Sequence, residues 1–172
     1  MIILDPDLES DRSVDRSAAS RAQSRDNRVP AARTLARYLR EAQAAVKLRG
    51  QVTVLLTTDR EIRRLNRQFR GKNKATDVLS FPTAKPPSIS KARTVAPIVL
   101  GDIAISAHTA RRQAATLGHG LAVEIKVLML HGLLHLAGYD HETDDGKMAR
   151  MEERLRAKLR LPHGLIERSG RT

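Results

Sequence analysis

Apolar positions along the chain follow two different periods, and these divide most of it into strands and helices. Short runs rich in β-branched and aliphatic residues predict four strands, at residues 1–5, 51–57, 76–81 and 98–105. Apolar residues spaced three and four apart predict helices that begin at about Pro30, Thr58, Ser106, Gly120 and Thr143. Strands and helices therefore alternate at first, and the last three elements are helices.

This order of elements predicts an α+β fold. The last two strands are neighbours joined by a long, proline-containing link, so they form a hairpin-like pair that excludes an all-parallel sheet. We expect one domain over residues 1–172, with a mixed sheet of about four strands packed by helices around a buried, nearly all-apolar helix. A Ser/Asp/Arg-rich segment at about 9–27 and the link at about 82–96 are predicted to be mobile.

Three hydroxyl residues are placed to cap helix starts. Thr58 forms a capping box with Glu61, and Ser106 and Thr143 each precede a helix, the latter with two aspartates following it. The predicted inward-facing residues of three helices are Leu35, Leu39, Ala42 and Val46, then Ile62, Leu65 and Phe69, then Met148, Met151, Leu155 and Leu159.

Three of the six histidines lie within eleven residues on and after the apolar helix. His131 and His135 are one turn apart on one face, and Gly138 can adopt the left-handed conformation that ends the helix and returns the chain toward them. His141 then supplies a third imidazole. Three imidazoles with an open fourth position are typical of catalytic zinc. We therefore predict one Zn²⁺ on His131, His135 and His141, although iron, nickel or copper could also bind such a set.

The spacing H-x-x-x-H-x-x-G-x-x-H is also that of the metzincin proteases, in which glutamate follows the first histidine. That glutamate is the general base, and Gly132 occupies its position here. There is also no obvious Met-turn, because Met148 and Met151 fit the buried face of a helix. A metallopeptidase with a displaced base is therefore the less favoured alternative.

Basic residues dominate the chain, with 31 Lys and Arg against 19 Asp and Glu and a net charge of +12. Such a charge favours a polyanionic partner, either nucleic acid or an anionic membrane. Residues 30–75 hold 12 basic and three acidic residues, a net charge of +9, and this concentration favours nucleic acid. Because aromatic residues make up only 2% of the chain, we expect binding to depend mostly on phosphate contacts and on salt. A guanidinium suits the charge that develops on a phosphodiester, and Arg70, beside Lys72 and Lys74, is the catalytic candidate.

Composition also bears on the compartment. The chain has no cysteine, so disulfides and thiolate metal sites are excluded and a reducing compartment is allowed. The apolar start at residues 1–4 is too short for a signal peptide, and residues 121–137 fall short of the ~20 apolar residues of a membrane span. We expect a cytoplasmic protein with no membrane and no DNA partner.

Four segments resemble the YbeY family of bacterial endoribonucleases. They read LNRQFR at 65–70, TDVLSFP at 76–82, LGDIAI at 100–105 and HGLLHLAGYDH at 131–141. The resemblance implies a single-strand-specific, zinc-dependent endoribonuclease that matures the 3′ end of 16S rRNA, acts in ribosome quality control and has the small ribosomal subunit as partner. It places the family's zinc ligands on His131, His135 and His141, and its functionally important arginine on Arg70.

Several alternatives remain open at this level. A zinc-stabilised RNA or ribosome adaptor without catalysis is the non-enzymatic reading, and either water or the RNA 2′-hydroxyl could be the nucleophile. Asp77, Asp102 and Asp140 are candidate hydrogen-bond acceptors for a ligand imidazole. The other three histidines are expected to be structural or solvent-facing: His108, His119 and His163.

Overall fold

The computed structural model describes residues 1–10, 27–83, 98–141 and 143–162. Almost all of the segment at about 9–27 and of the link at about 82–96 lies outside these residues, so their mobility stays a prediction. His163 also lies outside the described residues.

The described part of the chain contains four strands and six helices in the predicted order, with one short helix added near the start. The strands are β1 (Ile2–Leu4), β2 (Gln51–Thr57), β3 (Val78–Pro82) and β4 (Val99–Ser106). The helices are α1 (Asp7–Ser10), α2 (Ala32–Val46), α3 (Asp59–Arg70), α4 (Ala107–Leu117), α5 (Leu121–Leu136) and α6 (Lys147–Lys158).

The four strands form one mixed sheet in the order β1-β2-β4-β3. The pairs β1–β2 and β2–β4 are parallel, and β3 runs antiparallel to β4 with Val78 opposite Ile105 and Pro82 opposite Gly101. The predicted α+β fold with a mixed sheet is therefore confirmed. Pro82 is the last residue of β3 rather than the residue after it, which the sheet tolerates because β3 is an edge strand.

Two of the predicted hydroxyl caps are confirmed. The side-chain oxygen of Thr58 accepts a hydrogen bond from the Glu61 N–H at 3.3 Å, and that of Ser106 accepts one from the Thr109 N–H at 3.1 Å. Asp59 then joins the starts of α3 and α4, because its carboxylate accepts from Thr109 Oγ1 at 2.7 Å and from Arg112 at 2.9 Å.

The third predicted cap is wrong. Helix α6 begins at Lys147, after a turn in which Asp145 and Gly146 both have positive φ, 52° and 76°. The Thr143 hydroxyl instead donates to Asp140 at 3.1 Å, and Asp144 accepts from the Met148 N–H at 2.8 Å. Because of the left-handed turn at Asp145 and Gly146, the helix begins only at Lys147, and the Thr143 hydroxyl is too far from its first turn to cap it.

The predicted inner face of α3 is correct for Ile62, which is buried, and wrong for Phe69, whose exposed fraction is 58%. Asn66 takes the second buried position, where its amide donates to the Lys74 carbonyl at 2.7 Å. Phe69 lies in the last turn and rests on Phe81 of β3. Because β3 is the sheet edge, no further described strand covers this turn.

Helix α5 is the centre of the core, as predicted, with ten of its 16 residues buried. It packs against β3 and β4 on the sheet and against α2, α4 and α6. No single helix among the described residues is long and apolar enough to span a membrane. The pair α4–α5 meets the length and composition criteria together but is bent by 112°.

Gly132 brings α5 into close contact with the sheet. A Cβ atom at this position would lie 2.8 and 2.9 Å from Cγ2 and Cδ1 of Ile103, which is itself fully buried in β4. These distances are far below ordinary van der Waals contact, so a side chain at this position would force Ile103 to shift. The position that holds the catalytic glutamate in metzincins is therefore tightly packed in this fold.

Substitution of Gly132 with alanine should therefore destabilise the protein. We expect the free energy of unfolding to fall by about 1–2 kcal/mol, because overpacking exceeds the gain in helix propensity. Urea denaturation of Gly132→Ala measures this, and Ile103→Ala is the matched background because it removes the atoms that the new Cβ would meet. An equal loss in both backgrounds would show that the contact with Ile103 is not the cause.

Candidate metal centre

The three histidines of the motif meet at the end of α5. The ring centroids of His131 and His135 are 4.8 Å apart, and the ring of His141 lies 5.6 and 5.2 Å from them. One nitrogen atom from each ring falls within 4.8 Å of the other two. The structure thus brings the three predicted ligands together, each of them partly buried.

Gly138 makes this arrangement possible. Its φ is 89°, in the left-handed region that glycine adopts without a steric penalty. The N–H of Tyr139 donates back to the carbonyl of Leu134 at 3.1 Å, which closes the end of the helix. The chain then reverses, and His141 comes to lie beside the two helical imidazoles, as the glycine predicted.

Glu152 of α6 orients the first ligand. Its Oε2 lies 3.0 Å from Nδ1 of His131, so that nitrogen is the donor and Nε2 of His131 faces the other imidazoles. Nε2 of His131 is 3.1 Å from Nε2 of His135. A carboxylate that holds the far nitrogen of a histidine ligand is the usual second partner in metal sites, because it fixes the tautomer and the ring plane.

Glu152 is in turn held by Arg156, which is only 5% exposed. The guanidinium donates to Oε1 of Glu152 from two nitrogens, Nε at 2.9 Å and the second terminal nitrogen. Burial by itself raises the pKa of Glu152, but the hydrogen bond and charge interaction with His131 and the charge of Arg156 outweigh it and lower the pKa to about 2. The carboxylate therefore stays ionised and available to His131.

The residues present fit a metal ion. Burial, followed by the neighbouring His131 and His141, lowers the pKa of His135 to about 4, so this ring is neutral near pH 7 and can offer a lone pair. Both ring nitrogens of His141 are buried without a hydrogen-bond partner among the described residues, an arrangement that is unfavourable unless an ion or a water molecule binds there. The ligand atoms of a tetrahedral zinc ion lie ~3.3 Å from one another. The Nε2 atoms of His131 and His135 are 3.1 Å apart, which is close to that distance.

The three aspartates predicted as acceptors differ in their surroundings. Asp77 accepts from the Gln113 amide at 2.9 Å and from the Val78 N–H at 2.8 Å, at the start of β3. Asp102 is exposed on β4. Asp140 accepts from the Thr143 hydroxyl at 3.1 Å, and its negative charge also acts on His135. For His131, the acceptor is Glu152 instead.

Arg70 is exposed at the last position of α3. Its positive charge is one of the influences that lower the pKa of His135, so it acts on the metal centre through space. Within the described ranges, no carboxylate forms an ion pair with Arg70, or with the nearby Arg67, Lys72 and Lys74. The exposed guanidinium of Arg70 is therefore available to a phosphate, and its catalytic role stays a prediction.

The remaining described histidines are separate from this centre. His119 lies 3.1 Å from the fully buried carboxylate of Glu124 at the start of α5, which fits the structural role predicted for it. His108 is partly buried in the first turn of α4.

The fold and the histidine cluster define an α+β domain built around a candidate metal centre, and comparison with known proteins identifies its family. The family described as Endoribonuclease YbeY matches residues 17–160. Endoribonuclease YbeY of Koribacter versatilis is 49% identical over 136 residues, which are 79% of this chain and 82% of the relative. Endoribonuclease YbeY of Solibacter usitatus is 52% identical over 132 residues, or 77% and 82%.

A solution structure from Thermotoga maritima is 28% identical and covers 77% of this chain and 88% of its own, with a TM-score of 0.47. By its match to the family and to these relatives, the chain belongs to the YbeY endoribonuclease family. The resemblance inferred from the four motifs is thereby confirmed, and the protein is a member of a family of nucleases.

Sequence reasoning missed Glu152 and Arg156. A signal was present, because Glu152 lies four residues after Met148 and three before Leu155, both buried. A carboxylate on the buried stripe of a helix needs a partner. The sequence alone does not show that this partner is an imidazole 21 residues earlier.

Neutralising this carboxylate should weaken metal binding. We expect Glu152→Gln to lower the affinity for Zn²⁺ by about 10–100-fold, because His131 loses its ionised acceptor. Competition with a chromophoric chelator measures the affinity, and Glu153→Gln is the control, since Glu153 is exposed on the same helix. Equal affinities for the two variants would contradict the role of Glu152, and thermal unfolding of both reports whether Arg156 destabilises the fold once unpaired.

Proposed function

We propose that this protein is a zinc-dependent endoribonuclease that cuts single-stranded RNA. The observation that carries the proposal is the set of three clustered imidazoles, one of them held by a partly buried carboxylate, in a chain of the YbeY family. Its substrate is the 3′ region of 16S rRNA, its partner is the small ribosomal subunit, and its roles are rRNA maturation and ribosome quality control in the cytoplasm. The concentrated positive charge of residues 30–75 supports an RNA substrate.

His131, His135 and His141 would hold one Zn²⁺. Bound there, the ion would supply a Lewis acid for the phosphodiester and a means of generating a nucleophile near neutral pH. The Glu152–Arg156 pair keeps the imidazole of His131 in the tautomer that presents Nε2. The low pKa of His135 keeps that ring neutral, so protons do not compete for it near pH 7.

Arg70 has the role of binding and stabilising the phosphate. Its guanidinium is exposed, carries no carboxylate partner among the described residues and acts electrostatically on His135. As negative charge grows on the phosphoryl oxygens, a planar donor at this position stabilises it more than it stabilises the bound substrate.

The peptidase alternative is weakened by the packing at Gly132. Gly132 carries no carboxylate at the position of the metzincin general base, and a larger residue there would force Ile103 to shift, since its Cβ atom would lie 2.8 Å from that side chain. The adaptor alternative predicts a different outcome, namely RNA binding without cleavage by the metal-loaded protein.

Removing the metal should abolish cleavage. Treatment with a zinc chelator is expected to reduce cleavage of a single-stranded RNA by about a hundredfold or more, and stoichiometric Zn²⁺ should restore it, because Lewis-acid assistance supplies several kcal/mol. Gel analysis of end-labelled RNA measures the rate, with folded His135→Ala as the control for contaminating nuclease. Cleavage by that variant at the wild-type rate would refute the proposal, and a 2′,3′-cyclic phosphate on the products would identify the 2′-hydroxyl as nucleophile.

Arg70→Ala should lower kcat by about 10²–10³-fold, as expected for loss of a donor that acts on developing charge. Arg67→Ala is the matched control, since Arg67 lies one turn earlier on α3 and is also exposed. It should change RNA affinity and leave kcat nearly unchanged. If both variants affected only KM, and to a similar extent, Arg70 would be one more member of the basic surface.

A further inference from the structure

The two phenylalanines of the chain meet at the open edge of the sheet. Phe69 lies in the last turn of α3 and Phe81 on the edge strand β3, and their ring centroids are 5.0 Å apart with the planes inclined by 63°. The chain has two Phe, two Tyr and no Trp, so this pair holds half of its aromatic residues. Such a concentration in a chain this poor in aromatics calls for an explanation.

The two rings of the pair differ in exposure, one being partly buried and the other exposed to solvent. Phe81 is partly buried and packs against the small core cluster of Ile62, Leu79 and Ala104. Phe69 leans on Phe81 edge to face, and its exposed fraction is still 58%. The contact holds the ring of Phe69 in place and leaves most of its surface to solvent, although burial would be more favourable for an aromatic ring.

The pair is linked to the candidate metal centre through Arg70. Phe69 precedes Arg70, whose charge acts on His135. Phe81 follows Ser80 on β3, and neighbouring side chains of a strand point to opposite faces of the sheet. The Ser80 hydroxyl donates to the Gly132 carbonyl of α5 at 3.4 Å, whereas Phe81 packs on the face that carries α3. The ring of Phe69 therefore lies at the end of α3, next to the arginine whose charge reaches His135.

The surroundings of this ring are cationic. Arg67, Arg70, Lys72 and Lys74 are exposed close to it in sequence, and in the described part of the chain none of them pairs with a carboxylate. An exposed aromatic ring flanked by unpaired cations combines the two elements that single-stranded nucleic acids require, a surface for a base and charges for the phosphates.

We propose that Phe69 is a stacking platform for an unpaired nucleobase of the RNA, next to the phosphate that Arg70 and the metal centre engage. This inference rests on the proposed endoribonuclease function and adds a base contact to it. Bases inside a duplex are stacked on each other and cannot lie flat on a protein ring, so the platform selects single strands. Because every base has a π-face, it adds affinity without a strong sequence preference.

A fluorescent replacement tests the contact directly. Phe69→Trp introduces the only tryptophan of the chain. Mixing the metal-loaded variant with single-stranded oligoadenylate should quench its tryptophan fluorescence within milliseconds, before cleavage occurs. Inorganic polyphosphate has no bases, so it should leave most of the fluorescence intensity unchanged. Equal quenching by the two polyanions, or none by the oligonucleotide at concentrations where it is bound, would overturn the proposal.

Variants at the same position separate stacking from packing. Phe69→Leu keeps an apolar contact with Phe81 but removes the π-face, and Phe69→Tyr keeps the face. We expect Leu and Ala to weaken binding of single-stranded RNA by about tenfold or more and to leave duplex binding unchanged, with Tyr close to wild type. Leu117→Ala is the control, because Leu117 is another exposed large apolar residue, on α4.

Binding equal to wild type in Phe69→Leu would show that the ring itself is not needed and would overturn the proposal. The binding measurements are independent of catalysis. If the wild-type protein bound RNA and never cut it, the proposed endoribonuclease function would fail, and the difference between the Leu and Tyr variants would still decide whether Phe69 stacks on a base.

Discussion

The close contact between α5 and the sheet at Gly132 is the constraint on which the metal centre depends. It places the helix directly against Ile103 of β4, and Ser80 of β3 bonds the carbonyl of the same glycine. His131 and His135 stand on either side of this contact in sequence, so the sheet sets the height and rotation of both rings. The same glycine stands where a metzincin protease carries its general base, so that carboxylate is absent here. The close packing at Gly132 thus bears both on the placement of two candidate ligands and on the chemistry that the site can perform.

From the other side, α6 holds the helix by polar contacts. A buried ion pair such as Glu152–Arg156 is weak evidence for stability, since desolvation of both groups offsets most of their attraction. The position of this ion pair next to His131 explains its presence better than a contribution to stability does. The carboxylate that receives two donors from Arg156 is aimed with its other oxygen at His131, so an apolar pair of equal volume could fill the space without orienting the ring.

Local patterns were enough to predict much of this molecule, and long-range geometry accounts for the rest. The bounds of β2 and the buried course of α5 follow from periodicity, and the ligand turn follows from the spacing around Gly138. The exposure of Phe69 follows from its place over an edge strand, which only the strand order reveals. The late start of α6 follows from the left-handed backbone conformation of Asp145. Residues other than glycine adopt this conformation only rarely, so the sequence did not predict it.

The contiguity of the three ligands has a consequence for how metal and fold are coupled. All three lie within eleven residues, and the loop that an ion would close between the last two is only a few residues long. Closing so short a loop restricts the unfolded chain very little, in contrast to ions that join distant segments. The sheet and the apolar helix carry the architecture by themselves. An ion bound here would therefore add little to the stability of the fold, and its removal should leave the sheet and the apolar helix folded.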